Sequence, residues 1–589
     1  MPSETAKKSG SFLAEETQPG DILTIEDLGE AHKMIVSTTE DFVNNEVRPH
    51  LAQLEHKDFA LSRHLIRQAG ELGLLGADVS EEYGGSGPDL IASLLIDEHL
   101  AGAASFGVTM NDHVGIGTLP LVFFGNESQK QKYLPALASG TSIGAYALTE
   151  PKAGTDALSI ETRATLTTDG SCYRLNGTKQ FVTNGGLADV VFTYAKVDGD
   201  KFTAFIVERG FDGVSVGPEE KKMGIRGTST TSLVLDDALV PVDNVLFEVG
   251  RGHLVAFNIL NLARLKLGVG CIGMSKLALQ SSVTHAKERV QFGRPICDFG
   301  LIKHKIAEMA IRTYVAESMA YRIGGLVHDL LTSAGQDAYS NAKQAARYLP
   351  EYAIECSMNK VYCSEALAYV ADEAVQICGG YGYIEEYPVE TIYRDCRIYR
   401  IFEGTNEINR LVTTRWLVAK LLKKELAVPE QGLKPPEGPT TGAGGRQPLR
   451  RESELLSRAR RAFVWAANAA VQAYGDGLDE EQEVCGLLAD MATEVYAMES
   501  GLLRAIKSIE SVGEERSAAK IDMVTVYADA SMARVADCLR QLVPPVAAAG
   551  ADTSGKDDIM RLAHFAPINA VPLRRRLADL VVSREGYAC

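Results

Sequence analysis

The sequence predicts a multidomain α+β protein in which helical regions enclose a β-domain in chain order, with a further helical region at the end. Three observations predict it. The residue texture changes from helical spacing to β-branched runs and back again. The length, 589 residues, exceeds what one hydrophobic core normally serves. A stretch rich in Pro and Gly then separates the last helical region from the rest.

Residues 1–24 read as a loose polar tail. From 25 to 143, segments such as "EDFVNNEVRPHLAQLEH", "HLIRQAGELGLLG" and "DLIASLLIDEHLAGAA" place apolar residues three and four apart, which predicts an N-terminal α-helical domain. From 144 to 252 the runs "DVVFTYAKV", "FTAFIVERG" and "TSLVLDDALV" alternate with the turn signals "TDGS", "LNGT" and "VDGD", which predicts an antiparallel β-domain. Long amphipathic helices return over 253–427. Residues 428–449 read as a linker, and 450–589 as a separate C-terminal helical bundle. Arg458, Arg460, Arg461 and Arg574 to Arg576 read as solvated helix faces, with contact to a membrane surface the alternative.

Composition narrows the functional classes. A formal charge of −17 opposes binding to phosphodiester backbones, so no nucleic-acid partner is expected. The 10 cysteines show no CxxC pairing, so neither a metal site nor a disulfide framework is expected. No run reaches the apolar length needed to cross a bilayer, and the N-terminus lacks the pattern of a targeting segment, which together predict a cytoplasmic protein.

The strongest chemical signal runs from Gln376 to Arg410, "QICGGYGYIEEYPVETIYRDCRIYRIFEGTNEINR". Gly379, Gly380 and Gly382 permit a tight turn or a close ligand approach. A helix should begin near Thr405, an expected N-cap, with Glu407 in its first turn. Glu403 precedes that start. It can serve simply as an acid answering the helix dipole, or as a base whose affinity for a proton is raised by Ile398, Ile401 and Phe402.

"YRDCRIYRIFEGTNEINR", together with "YALTEPKAGTD", "GTKQFVTNGG", "MGIRGTSTTSLV" and "ERVQFGRPICDFGLIKHKIAEM" in the same order, resembles the acyl-CoA dehydrogenase family, most of all its very-long-chain branch. The resemblance implies that family's fold, with a four-helix bundle after the β-domain, FAD as cofactor and a fatty acyl-CoA as substrate. It also implies a trans-2-enoyl-CoA product of fatty acid β-oxidation, with electrons passed to an electron-transfer flavoprotein. Glu403 matches the catalytic base, which removes the α-proton while the β-hydrogen leaves as hydride to flavin N5. Its backbone N–H would help polarise the thioester carbonyl, and Gly404 would leave room for the thioester.

The same resemblance places Tyr146, Leu148 and Thr149 along the flavin, and Gly154 and Thr155 at phosphate or substrate. It sets Phe181 and Thr183 on the opposite side of the ring, and Thr405 and Glu407 at the cofactor. Arg289, Gln291, Phe292, Gln376, Gly379 and Gly380 would reach the FAD of a neighbouring subunit, which implies a homodimer with shared sites. Arg264 would close over the base and the CoA portion, with Asn261 nearby; read locally, Arg264 is a surface helix charge. Ala263 leaves no competing carboxylate before that Arg. Two other readings stand beside this one: an acyl-CoA oxidase that uses oxygen, and a flavin-bearing assembly protein docking through its C-terminal helices. Asn111 and Asp112, in the segment expected to floor the acyl pocket, are more polar than a deep alkyl tunnel requires, and acyl length stays open.

Overall fold

The computed structural model describes residues 7–333, 337–426, 448–553 and 556–589. Nearly all of the expected linker lies outside them. The chain divides into two compact units: Leu28–Gly273 with Val327–Glu351, and Lys7–Asp27 with Met274–Leu326 and Tyr352–Cys589.

The first unit begins with helices α1 (Glu30–Phe42), α2 (Leu51–Glu55), α3 (Phe59–Glu71), α4 (Leu90–His99), α5 (Ala104–Val114), α6 (Leu119–Phe124) and α7 (Glu127–Ala138). Short polar side chains start several of them. Asp58 and Asp89 accept from the free N–H groups of α3 and α4, and Asn126 forms a capping box with Gln129 at α7. The periodic stretch 40–56 is not one helix: a widened turn over Val43–Val47 and a tight turn at Arg48–His50 interrupt it. Pro49 lacks the N–H that a continuous helix needs. Phe42, Val47, Leu65, Ile96, Phe106 and Met110 share one buried core.

Strands β1 (Gly144–Ala147), β2 (Arg163–Leu166), β3 (Cys172–Thr183), β4 (Val190–Val197), β5 (Lys201–Glu208), β6 (Val214–Val216), β7 (Thr230–Pro241) and β8 (Val245–Leu246) follow. They form one sheet in the order β6-β7-β3-β2-β4-β5-β8, with β1 beside β4. Most pairings are antiparallel as expected, whereas β1 and β2 each pair β4 in parallel. Alternating residues such as Leu175, Val191, Phe205, Val207, Leu233 and Leu235 fill the sheet's core.

The later helices are α8 (Gly252–Glu288), α9 (Gly300–Ser333), α10 (Asp337–Ser340), α11 (Ala342–Tyr348), α12 (Ala353–Cys378), α13 (Pro388–Cys396) and α14 (Asn406–Leu422). Between α8 and α9 lies a hairpin of β9 (Val290–Gln291) and β10 (Arg294–Pro295). The C-terminal region adds α15 (Arg450–Tyr474), α16 (Gln482–Val512), α17 (Ala518–Ala548), α18 (Lys556–Ala563) and α19 (Ala570–Ser583).

The C-terminal helices form the further helical region expected, in one compact unit with α12 and α14. Other expectations need correction. The reading of the N-terminus as loose fails for residues 7–24. Phe12 is buried edge-on against Tyr496, Ser9 and Gly10 donate to buried Glu355, and Arg322 donates to Thr17. A few apolar and hydrogen-bonding residues suffice to seat a segment whose average composition is polar. Arg460 is not on a solvated face: it is 2% exposed and is held by the Phe12 carbonyl and Glu499. Finally, Leu90–Phe124 and Gly252–Glu288 do contain stretches long and apolar enough to cross a membrane, with 72% and 83% of those windows buried inside the protein. Their apolar character is taken up by packing.

Candidate active site

In the second unit, α13 runs into a tight turn at Arg397–Arg400, and the chain then turns into α14. Thr405 caps α14, its hydroxyl accepting from the Ile408 N–H. Two residues earlier, Glu403 adopts φ +58°, and Gly404 follows at φ +80°. A left-handed conformation costs a residue with a Cβ about 1–2 kcal/mol, but costs Gly nothing. The sequence therefore places Gly where it relieves half of the strained pair and leaves the other half on the acid. Tyr399 and Phe402 pack edge to face beside it, with ring centroids 5.1 Å apart.

The turn is held from below. Buried Asn409 donates to the carbonyls of Gly404 at 2.8 Å and Thr405 at 3.0 Å. Lys360 of α12, without solvent exposure, donates to the Gly404 carbonyl at 2.8 Å and to Asn406 Oδ1 at 2.7 Å. Glu407 is exposed on the first turn of α14; its own backbone N–H and the Thr405 hydroxyl hold its carboxyl below the usual range.

Elsewhere in this unit, Arg289 at the start of the β9–β10 hairpin sits 5.9 Å from the ring of Tyr381, beside Gly379 and Gly380. The structure thus brings the hairpin and the glycine turn together. Gln291, Gln376, Gly379 and Gly380 are exposed, and Phe292 is 94% exposed with φ +52°. A Cβ added at Gly379 or Gly380 would meet no atom within 4 Å.

In the first unit, the residues expected along the flavin gather where β1 leaves the sheet and where β3 ends. Tyr146 is buried against Tyr194, Leu148 is buried, and the Thr149 carbonyl accepts from the Gln180 N–H at 2.8 Å. β3 and β7 shift register between Lys179 and Val182. At that bulge Phe181 takes φ +58° and stands 58% exposed while its neighbour Val182 is buried. An extra residue in a strand re-aims a side chain in this way, and here it presents an aromatic face to solvent. Thr183 leads into Asn184, whose amide donates to the Thr109 carbonyl and Asp112 of α5. Gly154 and Thr155 lie exposed on the loop after β1. Phe106 and Met110 are core residues, and the Asn111 Oδ1 atom is buried without a hydrogen-bond partner among the described residues.

Arg264 corrects the local surface reading: it is 7% exposed and donates to Asn261 Oδ1, one helical turn earlier on α8, at 3.0 Å.

Three structural supports escaped the motif reading. Lys179 pairs with Glu150 at 2.6 Å beneath the Thr149 and Phe181 segments. His113 Nδ1 accepts from the Gly144 N–H and its Nε2 donates to the Leu137 carbonyl, both at 3.0 Å, which joins α5 to the start of β1. Lys360 and Asn409 hold the Glu403 turn. For Lys179, His113 and Lys360 the spacing along the chain carries no sign of the contact, because each partner lies 24 or more positions away, whereas Asn409 is local to the turn it holds.

Comparison with known proteins identifies the family. Family profiles match residues 29–141 (acyl-CoA dehydrogenase, N-terminal domain), 145–238 (middle domain), 250–418 (C-terminal domain) and 458–554 (a second C-terminal-domain profile). A probable acyl-CoA dehydrogenase of Bacillus subtilis is 46% identical, covering 99% of this chain and 98% of its own. The human very long-chain specific acyl-CoA dehydrogenase is 38% identical over 74% of this chain and 69% of its own. Among solved structures, the Bacillus anthracis acyl-CoA dehydrogenase complexed with FAD superposes with a TM-score of 0.93 at 45% identity, covering 99% of this chain and 100% of that one. The Megasphaera elsdenii butyryl-CoA dehydrogenase reaches 0.59 at 36% identity over 67% of this chain and 99% of its own, so it lacks a counterpart to much of the rest. With profiles along most of its length and so similar a relative end to end, this chain belongs to the acyl-CoA dehydrogenase family, flavin-dependent oxidoreductases acting on CH–CH bonds.

Proposed function

We propose that this protein desaturates a long-chain fatty acyl-CoA to its trans-2-enoyl-CoA and passes the electrons to an electron-transfer flavoprotein, with Glu403 as the base. The observation that carries the reading is the Glu403 turn. A carboxylate in a strained left-handed conformation, flanked by an aromatic pair and followed by a helix N-terminus, is a device for holding one acid in one place. Glu403 takes the α-proton of the thioester on its carboxylate, and its backbone N–H would polarise the thioester carbonyl. Arg264, buried beside Asn261, orients the CoA portion.

The residues present fit a flat aromatic cofactor. Phe181 is an exposed aromatic face on a bulge, Tyr146 and Leu148 supply apolar surface, and Thr149, Thr155 and Thr183 supply hydroxyls. FAD, held there, supplies the acceptor for the β-hydride. Arg289, Gln291 and Phe292, with Gln376, Gly379 and Gly380, stand exposed on a single chain, which supports their reaching the cofactor of a second subunit in a homodimer. Replacing Phe292 by Asp should shift sedimentation toward the monomer and lower flavin content; a stable, fully flavinated dimer would refute the shared site.

The long-chain assignment rests on the similarity to the very long-chain specific relatives. Glu403→Gln should retain the yellow flavin and abolish bleaching by acyl-CoA under anaerobic conditions; unchanged bleaching would remove Glu403 from the mechanism. A panel of acyl-CoAs scored by bleaching should favour long chains. Reduced enzyme should reoxidise slowly in air and rapidly with electron-transfer flavoprotein, whereas rapid peroxide formation would make it an oxidase.

A further inference from the structure

We propose that Lys360 is a positioning residue for the catalytic base, and that a chain of polar contacts extends this support into the C-terminal helices. The inference rests on the reading of Glu403 as the base.

Lys360 lies on α12 with no solvent exposure. A lysine so placed loses the hydration of its ammonium group, so its protein contacts must replace it. Two of those contacts converge on the base turn: the Gly404 carbonyl at 2.8 Å and Asn406 Oδ1 at 2.7 Å. The Gly404 carbonyl also receives Asn409 Nδ2 at 2.8 Å. That carbonyl belongs to the second residue of the left-handed pair, ahead of the point where α14 begins, so the regular helix ladder does not hold it. Two donors from different elements, one of them an ammonium, fix its direction. Fixing it sets the peptide plane after Gly404 and, through it, the turn that keeps Glu403 left-handed.

The support continues outward. Asn406 donates through Nδ2 to Glu365 Oε1 at 3.0 Å. Glu365 receives the Arg410 guanidinium through two bonds of 2.9 and 3.1 Å, and Arg410 Nε reaches Asp490 of α16 at 2.7 Å. Asn406, Asn409 and Arg410 all lie in the first turns of α14, so the segment that carries the base also carries its anchors. A helix of the C-terminal region therefore ends a continuous polar path that begins at the base turn. This gives those helices a part in the chemistry beyond docking.

Lys360→Met keeps the length of the side chain and removes its donors. Its flavin content should stay near wild type, while the rate of anaerobic flavin reduction by acyl-CoA falls ~10- to 100-fold, the usual penalty for a slightly misplaced catalytic group. KM should change little, and the isotope effect with α-deuterated substrate should rise as proton abstraction becomes slower. Asp490→Asn, at the far end of the path, should show the same signature at smaller amplitude. If Lys360→Met lowers thermal stability but reduces its flavin at the wild-type rate with an unchanged isotope effect, Lys360 is a core lysine only and the proposal fails. If Lys360→Met yields no soluble protein, Asn409→Leu and Asp490→Asn carry the test by the same criterion. Glu403→Gln separates the two readings. A bleachable Glu403→Gln enzyme removes the base assignment and the positioning role with it, whereas an unbleachable one beside a fully active Lys360→Met enzyme removes the positioning role alone.

Discussion

Lys179 Nζ lies 2.6 Å from Glu150 Oε1, and the two side chains are 0% and 5% exposed. Glu150 also receives the Thr162 hydroxyl and the Glu161 N–H, both at 2.5 Å. The pair ties β3 to the segment after β1 directly behind Phe181 and Thr149. Burial lowers the Lys179 pKa to about 8 even with its carboxylate partner in place. Removing one member of a buried pair strands the other charge, at a cost of about 3–5 kcal/mol. Lys179→Met should destabilise the first unit by that amount in urea titrations and weaken flavin retention. The double substitution Lys179→Met, Glu150→Gln should recover part of the loss; full additivity of the single changes would show that the side chains are not coupled.

His113 should make the first unit acid-sensitive. Burial lowers its pKa from 6.5 to about 4, and the neutral ring accepts at Nδ1 from Gly144. The unfolded chain binds that proton below pH 6.5, but the folded one does not until about pH 4. The unfolded state therefore holds more protons across this window, and stability falls as pH falls through it, by about 3 kcal/mol at 1.36 kcal/mol per unit. Urea unfolding at pH 7, 5.5 and 4.5 should show the decline. In His113→Ala the decline should shrink, on a baseline lowered by about 2–4 kcal/mol for the orphaned Gly144 N–H and Leu137 carbonyl.

Glu26 should place the second unit's acid response lower. Burial raises its pKa, but Arg504 outweighs burial and brings it to about 2. Its stabilising effect is complete above the ordinary value of 4.5 and is lost as pH falls toward 2. Hydrogen exchange followed by mass spectrometry from pH 6 to 3 should therefore show β1 and α5 losing protection before the contact between residues 22–27 and α16. The reverse order would contradict both assignments.

Phe181 should separate cofactor binding from folding. Its side chain is 58% exposed, so Phe181→Ala should change stability by less than about 0.5 kcal/mol. Flavin release on dilution should quicken severalfold, because the apolar platform is gone. A large fall in melting temperature with normal flavin retention would mean the ring serves packing.

Arg504 anchors the second unit. It is 1% exposed and bonds Glu317 at 2.6 Å and Glu26 at 2.8 Å, while Lys276 takes the other Glu317 oxygen at 2.5 Å. Arg504→Met should cost about 3–5 kcal/mol in that unit, visible as a lower melting temperature with flavin reduction per folded molecule unchanged.

Periodicity and turn chemistry alone made the order of helical and β regions legible, because 3.6- and 2-residue repeats are local. The Thr405 cap and the helix after it were legible for the same reason. The choice between a helix-start acid and a base at Glu403 was not, and there the match of several motifs in one order carried the argument. Arg264 misled a local reading: charge implies surface, but its neighbours on other elements bury it.

The sequence by itself determined the order of helical and β regions and where Gly had to stand beside Glu403. Only the tertiary structure decided what holds them. The pairings of Lys360 with Gly404, Lys179 with Glu150, His113 with Gly144 and Arg504 with Glu26 join residues from 29 to 478 positions apart. No repeat or spacing encodes such partners, because a buried polar group finds its complement by position in space and not by position in the chain.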